Sequence, residues 1–192
     1  MVLGTLSWAG WYVIDNIGAP GPAATGSGPC GPGDSVNLEL LFADGHIVKA
    51  CTRDRPACPN LVTTGTNVST HTTSSVTRFS LNNQLRSSLR RYILGITFNA
   101  ALPAQSAERT LPFDASAMML GPPMAGSLPS TLSAASVGVI SRDPTDAGSN
   151  TVSGSLSVSA SGGIARGSFS GSFGASSTTQ PVTVTGSFAC NH

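Results

Sequence analysis

The groups of this 192-residue chain that could do chemistry are few: four cysteines, three histidines, nine carboxylates and nine arginines. The cysteines are Cys30, Cys51, Cys58 and Cys190. An even count in a chain rich in Ser, Thr and Gly predicts two disulfides, with three connectivities open. The pairing we favour is Cys30–Cys51 with Cys58–Cys190, which would tie the C-terminal strand to an early loop. A zinc site is a poor alternative, because no C-x-x-C pair occurs and His46, His71 and His192 lack ligand-like spacing to the thiols. No metal and no cofactor is expected.

Catalytic patterns fare no better. The acids are scattered mainly through loops, so no two stand out as a glycosidase-type pair. Gly167-Ser168-Phe169-Ser170-Gly171 places Phe at the centre of a G-x-S-x-G pattern, which fails as a nucleophile elbow and reads as a strand. Asp143-Pro144-Thr145-Asp146, with Ser149 and Asn150, offers oxygen ligands but lacks the calcium-loop spacing, so an ordinary turn is expected. Arg78, Arg86, Arg90 and Arg91 are the one basic cluster. On a helix, Arg86 and Arg90 would be neighbours able to grip a carboxylate or sulfate, although a solvated face is the simpler reading. Catalytic residues are expected to be none, and the chain is not expected to be an enzyme.

Trp8, Trp11, Tyr12, Val13 and Ile14 lie in the uncharged run Met1–Ile14. Aromatic and β-branched content predicts one or two strands there. The run lacks a basic n-region and a small-residue cleavage site, so it makes a poor signal peptide, and 14 residues cannot span a bilayer as a helix. These five residues are the candidate assembly interface: such a strand can pair with the sheet edge of a neighbour, where main-chain hydrogen bonds supply affinity. A stacking platform for sugar and plain core placement are the alternatives.

The elements that must position these groups follow from composition. Charged residues make up 10% of the chain, against roughly a quarter in an average soluble domain. The polar surface therefore falls to 47 Ser and Thr. Hydrophobic residues at 40% suffice for a core, and 22 Gly with 13 Pro imply many turns. Net charge is +1, which gives no footprint for nucleic acid and leaves self-association electrostatically easy. Ser35–Phe42 and His46–Cys51 alternate around Asp44-Gly45 and predict a hairpin. Leu61–Thr77 reads as one exposed strand, with Asn67-Val68-Ser69 fitting an N-glycosylation pattern. Ser80–Arg91 predicts the single short helix, on Leu81, Leu85 and Leu89 at four-residue spacing. Further strands are expected at Tyr92–Ala100, Thr110–Met119, Ser133–Ile140, Thr151–Ser159, Ile164–Phe173 and Val182–Phe188, with loops near 16–34 and 118–130. The sum is one all-β domain over 1–192: an antiparallel β-sandwich or barrel of roughly nine to eleven short strands with at most one short helix.

The strand Gly154-Ser-Leu-Ser-Val, the strand Ile164-Ala-Arg-Gly-Ser-Phe-Ser-Gly-Ser-Phe and the strand Val182-Thr-Val-Thr-Gly-Ser-Phe together cover about a fifth of the chain. They resemble the closing strands of secreted bacterial β-sandwich domains, often lipoproteins of unknown function. The resemblance implies a cell-surface sandwich without assigned chemistry, and the missing lipobox cysteine near the start departs from it. Sequence thus leads to a secreted structural protein, extracellular, at the cell surface or in a virion, that self-assembles into a filament or shell. Its partners are expected to be copies of itself, or else another surface protein or a glycan, with no nucleic acid and no membrane span. A monomeric cell-surface binding module for glycan or protein is the alternative.

Overall fold

The computed structural model describes residues 30–31, 33–67, 72–87, 91–114, 131–141, 149–150, 153–173 and 181–192. Eleven strands appear in it: β1 Val36–Phe42, β2 Ile47–Thr52, β3 Asn60–Asn67, β4 Thr72–Arg86, β5 Arg91–Phe98, β6 Ser106–Pro112, β7 Ala135–Ser141, β8 Ser149–Asn150, β9 Ser153–Ser161, β10 Ile164–Ser172 and β11 Pro181–Asn191. No helix occurs among the described residues. The protein is all-β.

All strand pairs are antiparallel. The order across the sheet is β6-β9-β10-β11-β1-β2-β4-β5-β7-β8, with β3 attached to β4 alone. The sheet curls on itself. Beyond β6, Phe113 forms a bridge to Ala135 at the start of β7, and the Asp114 N–H donates to the Ala135 carbonyl at 2.8 Å. Two nearly opposite ends of the path thereby meet, and the result is a half-closed barrel.

Alternation makes the inside. Val36, Leu38, Leu40 and Phe42 of β1 are buried, as are Tyr92, Leu94, Ile96 and Phe98 of β5 and Leu156, Val158 and Ala160 of β9. They belong to one continuous hydrophobic cluster. The outward face is built from hydroxyls. Ser155, Ser170, Thr185, Glu39 and Lys49 line up as one cross-strand row, and Ser157, Ser168, Ser187, Asn37 and Cys51 as the next. Apolar inside and polar outside is the reverse of a transmembrane barrel, and no helix is long and apolar enough to cross a membrane among the described residues.

Turn chemistry follows the sequence. Gly162 and Gly163 have φ of 59° and 73° between β9 and β10, the left-handed pair that a type I′ hairpin turn requires.

Two expectations fail. The helix expected over Ser80–Arg91 is not formed: Ser80–Arg86 is the second half of β4 and Arg91 starts β5, with residues 88–90 outside the described residues. Leu81 and Leu85 are buried at 1% and 0% exposure, as is Phe79 two positions earlier. A spacing of four is two strand periods as well as about one helical turn, and here the strand period of 2 extends back to Phe79. The single strand expected over Leu61–Thr77 is a hairpin, β3 and the first half of β4, paired without a break from Asn60↔Phe79 to Asn67↔Thr72.

Candidate functional site

β4 changes neighbours along its length, and Arg86 at its end also meets Cys51 of β2. Its first half pairs with β3 and its second half, from Ser80, with β5. The switch at Phe79/Ser80 sends β3 and the first half of β4 out as a two-stranded ribbon beside the barrel. Leu61 and Val62 of β3 stand 47% and 65% exposed. From Pro56 to Thr77 there is no Asp, Glu, Lys or Arg.

The root of this ribbon is firmly held. Cys58, fully buried, is bonded to Cys190 of β11, and its N–H donates to the Asn191 carbonyl at 2.8 Å. Asn60 makes a two-way clamp with Leu102: its Nδ2 donates to the Leu102 carbonyl at 2.9 Å, and the Leu102 N–H donates to Oδ1 at 3.0 Å. The His192 ring nitrogens lie 3.1 Å from the Cys58 carbonyl and 2.9 Å from that of Leu102, beside the Phe79 ring at 5.8 Å. Phe79 itself stacks on Phe98 at 4.4 Å. Arg78, 3% exposed, sits opposite Leu61 where the ribbon leaves the barrel. Burial pushes its guanidinium below the ordinary arginine value, because a cation taken from water loses hydration. Among the described residues the ribbon is pinned at its root, and β3 pairs with β4 alone.

A second feature is a shallow concavity on the outward face, about 640 Å³, edged by Asn37, Glu39, Lys49, Ser170, Thr185 and Ser187. Glu39 and Lys49 pair across it at 3.0 Å. The Cys30–Cys51 disulfide borders it, Cys51 being an outward residue of β2. The connection from residues 1–29 is thus stapled to the outside of the barrel.

The residues singled out in the sequence fall as follows. The four cysteines form Cys30–Cys51 and Cys58–Cys190, and no free thiol remains. Cys30, Asp34 and Cys51 lie close enough together to resemble a metal site, but sulfurs joined in a disulfide are not thiolate ligands. The arginine cluster does not form on a helix. Arg86 and Arg91 face each other across the β4–β5 hairpin, both exposed, while Arg78 is buried apart from them, and Arg90 lies outside the described residues. Gly167–Gly171 is strand β10. Asp143–Asp146 and the candidate interface Trp8, Trp11, Tyr12, Val13 and Ile14 lie outside the described residues. Among acid–base pairs, His46 Nδ1 meets Asp44 Oδ1 at 2.5 Å at the β1–β2 turn, with both side chains about half exposed. That position is an open hairpin tip, and it encloses no substrate.

The ribbon escaped the sequence because no Gly or Pro stands between Asn67 and Thr72, the usual punctuation between paired strands. No protein-family model matches the chain, and no curated protein or solved structure is significantly similar to it.

Proposed function

We propose that this chain is a non-enzymatic structural protein of an extracellular assembly, a self-assembling subunit of a surface filament or of a shell such as a virion. The observation that carries the reading is the uncharged edge of β3, unpaired among the described residues, on a ribbon whose root is fixed by Cys58–Cys190, Asn60–Leu102 and His192. Proteins that stay apart blunt such edges with charge, Pro, bulges or shortness, and β3 carries no Asp, Glu, Lys, Arg or Pro within its eight residues. Two disulfides fit the oxidising compartment that an extracellular protein meets. Net charge of +1 puts little repulsion between copies.

The test is negative-stain electron microscopy of the full chain with light scattering across concentration. Filaments, rings or shells are expected. A monomer near 19.4 kDa at every concentration would overturn the proposal.

A second reading, a monomeric cell-surface module for glycan or protein, draws on the outward concavity, whose Asn, Ser, Thr, Glu and Lys groups supply hydrogen bonds on a rigid sheet. A stable monomer that is retained on a glycan array, and loses retention on Asn37→Ala, would favour it.

A further inference from the structure

We infer that residues 2–14 of one copy add to the outer edge of β3 in another, as the third strand of the ribbon. The inference rests on the assembly reading and names its contact. It begins with a comparison of the strands that end the sheet path, β6 and β8, with β3, which lies off it. β6 carries a register shift between Ser106 and Arg109, exposed Glu108 and Arg109, and Pro112, and its far end is engaged through the Phe113–Ala135 bridge. β8 is two residues long. Both edges are thus closed to strand addition by familiar devices: bulge, charge, Pro, shortness and cover. β3 has none of them. It runs eight residues in unbroken register with β4, without charge and without Pro.

Energetics point the same way. A two-stranded ribbon is marginal in water, and a third strand or a packed face is needed for independent stability. Leu61 and Val62 lie at consecutive positions and are both exposed, so β3 itself shows apolar side chains on both its faces near the root, while Arg78 and Phe79 of the opposite strand are buried. Along the free edge, alternate residues turn their N–H and C=O groups away from β4, ready for main-chain pairing.

The occupant is chosen by composition and attachment. Residues 2–14 (VLGTLSWAGWYVI) are free of charge and rich in aromatic and β-branched types, which suits them to an uncharged Thr-rich strand. Thirteen residues in strand form span roughly 43 Å, and the eight of β3 about 26 Å, at ~3.3 Å per residue. The segment therefore covers the edge in full. Residues 15–29 carry three Pro and four Gly and lead to Cys30, stapled to the outside of β2. At ~3.1 Å per residue in an extended form, this connector reaches up to about 47 Å from its anchor at Cys30.

The experiment uses full-length chains: wild type, Leu6→Pro/Tyr12→Pro, and Leu61→Lys/Val62→Lys. Pro breaks strand pairing in the donor, and edge lysines at two exposed positions block the acceptor while sparing the core. Sedimentation reports assembly, and hydrogen exchange reports the amides of Asn60–Asn67. Wild type is expected to assemble with its edge amides slowed about tenfold or more relative to both variants, and both variants are expected to sediment as folded monomers. Assembly of the Pro variant with unchanged protection of β3 would overturn the inference and leave the assembly reading intact. Protection of the edge in a wild-type monomer would mean that the segment folds back on its own ribbon, which also overturns it. A wild-type monomer without protection would sink both readings.

Discussion

Phe188 and Gly167 are direct partners across β10 and β11, and the Phe188 ring occupies the space that a side chain at 167 would need. A Cβ placed on Gly167 would come within 2.6 Å of that ring and 2.5 Å of the Ser157 carbonyl oxygen. The relationship is repeated with the roles exchanged, Phe169 of β10 facing Gly186 of β11 and crowding it in the same way. Two Gly-Ser-Phe triplets, 167–169 and 186–188, thus meet in antiparallel register so that each glycine receives the other's ring. Ser168 and Ser187 pair between them on the outward face.

This arrangement predicts asymmetric tolerance. Gly167→Ala and Gly186→Ala each force a ring or the backbone to move, at about 1–3 kcal/mol for overpacking a tight core. Ser168→Ala, on the exposed side of the same strand, is expected to change stability by no more than about 0.5 kcal/mol. Urea unfolding of the three variants checks the order.

Asn99 holds the approach to β7. Its Oδ1 accepts from the Ser133 N–H at 3.0 Å and the Ala134 N–H at 3.1 Å, and its Nδ2 donates to the Ser133 hydroxyl at 3.0 Å. The side chain is 6% exposed and Ala134 is buried, so truncation leaves the Ala134 N–H without a partner where water enters poorly. Asn99→Ala is expected to cost about 2 kcal/mol and to speed amide exchange at Ser133 and Ala134 while β9 and β10 are unchanged. Uniform acceleration across all strands would contradict the local role.

The Asp44 carboxyl titrates below its ordinary value because the His46 N–H donates to it and the His46 ring does so as well. The sign follows from the lower folded value. The unfolded chain takes up the proton first as pH falls, so the contribution is present above the unfolded value of 3.8 and is lost as pH drops through the lowered one. NMR of the Asp44 carboxyl is expected to give a midpoint below 3.8. The stacked Phe42–His46 pair, ring centroids 4.0 Å apart, should shift with the same midpoint. Asp44→Asn removes the transition.

Where sequence carried the fold, the reason is local periodicity. Val36, Leu38, Leu40 and Phe42 alternate up to Asp44-Gly45, and the hairpin they announce needs no distant information. The two Gly-Ser-Phe triplets are visible in the chain, but their mutual register is not, because it depends on a hairpin closing between residues 172 and 181. Leu81 and Leu85 satisfy two periods at once, and only their neighbours Phe79 and Tyr92, both buried, choose the strand. The open edge of β3 was illegible for a deeper reason. Openness is a property of what fails to pair among the described residues, and no residue of β3 records it.

The two disulfides are expected to differ in what they hold. Cys58–Cys190 closes 132 residues and Cys30–Cys51 closes 21. Restriction of the unfolded chain scales with the logarithm of loop length, which gives about 5 kcal/mol for the first and about 3 kcal/mol for the second. Packing widens the gap, since Cys58 and Cys190 are fully buried in the core cluster whereas Cys30 and Cys51 sit half-buried on the outward face. Cys58→Ala/Cys190→Ala is expected to lower the thermal midpoint most and to loosen the ribbon root at Asn60 and His192. Cys30→Ala/Cys51→Ala should leave the barrel folded, with a smaller loss, and free the connection to residues 1–29. Calorimetry ranks the pair, and a larger loss from the short loop would show that strain or unfolded-state structure outweighs loop length here.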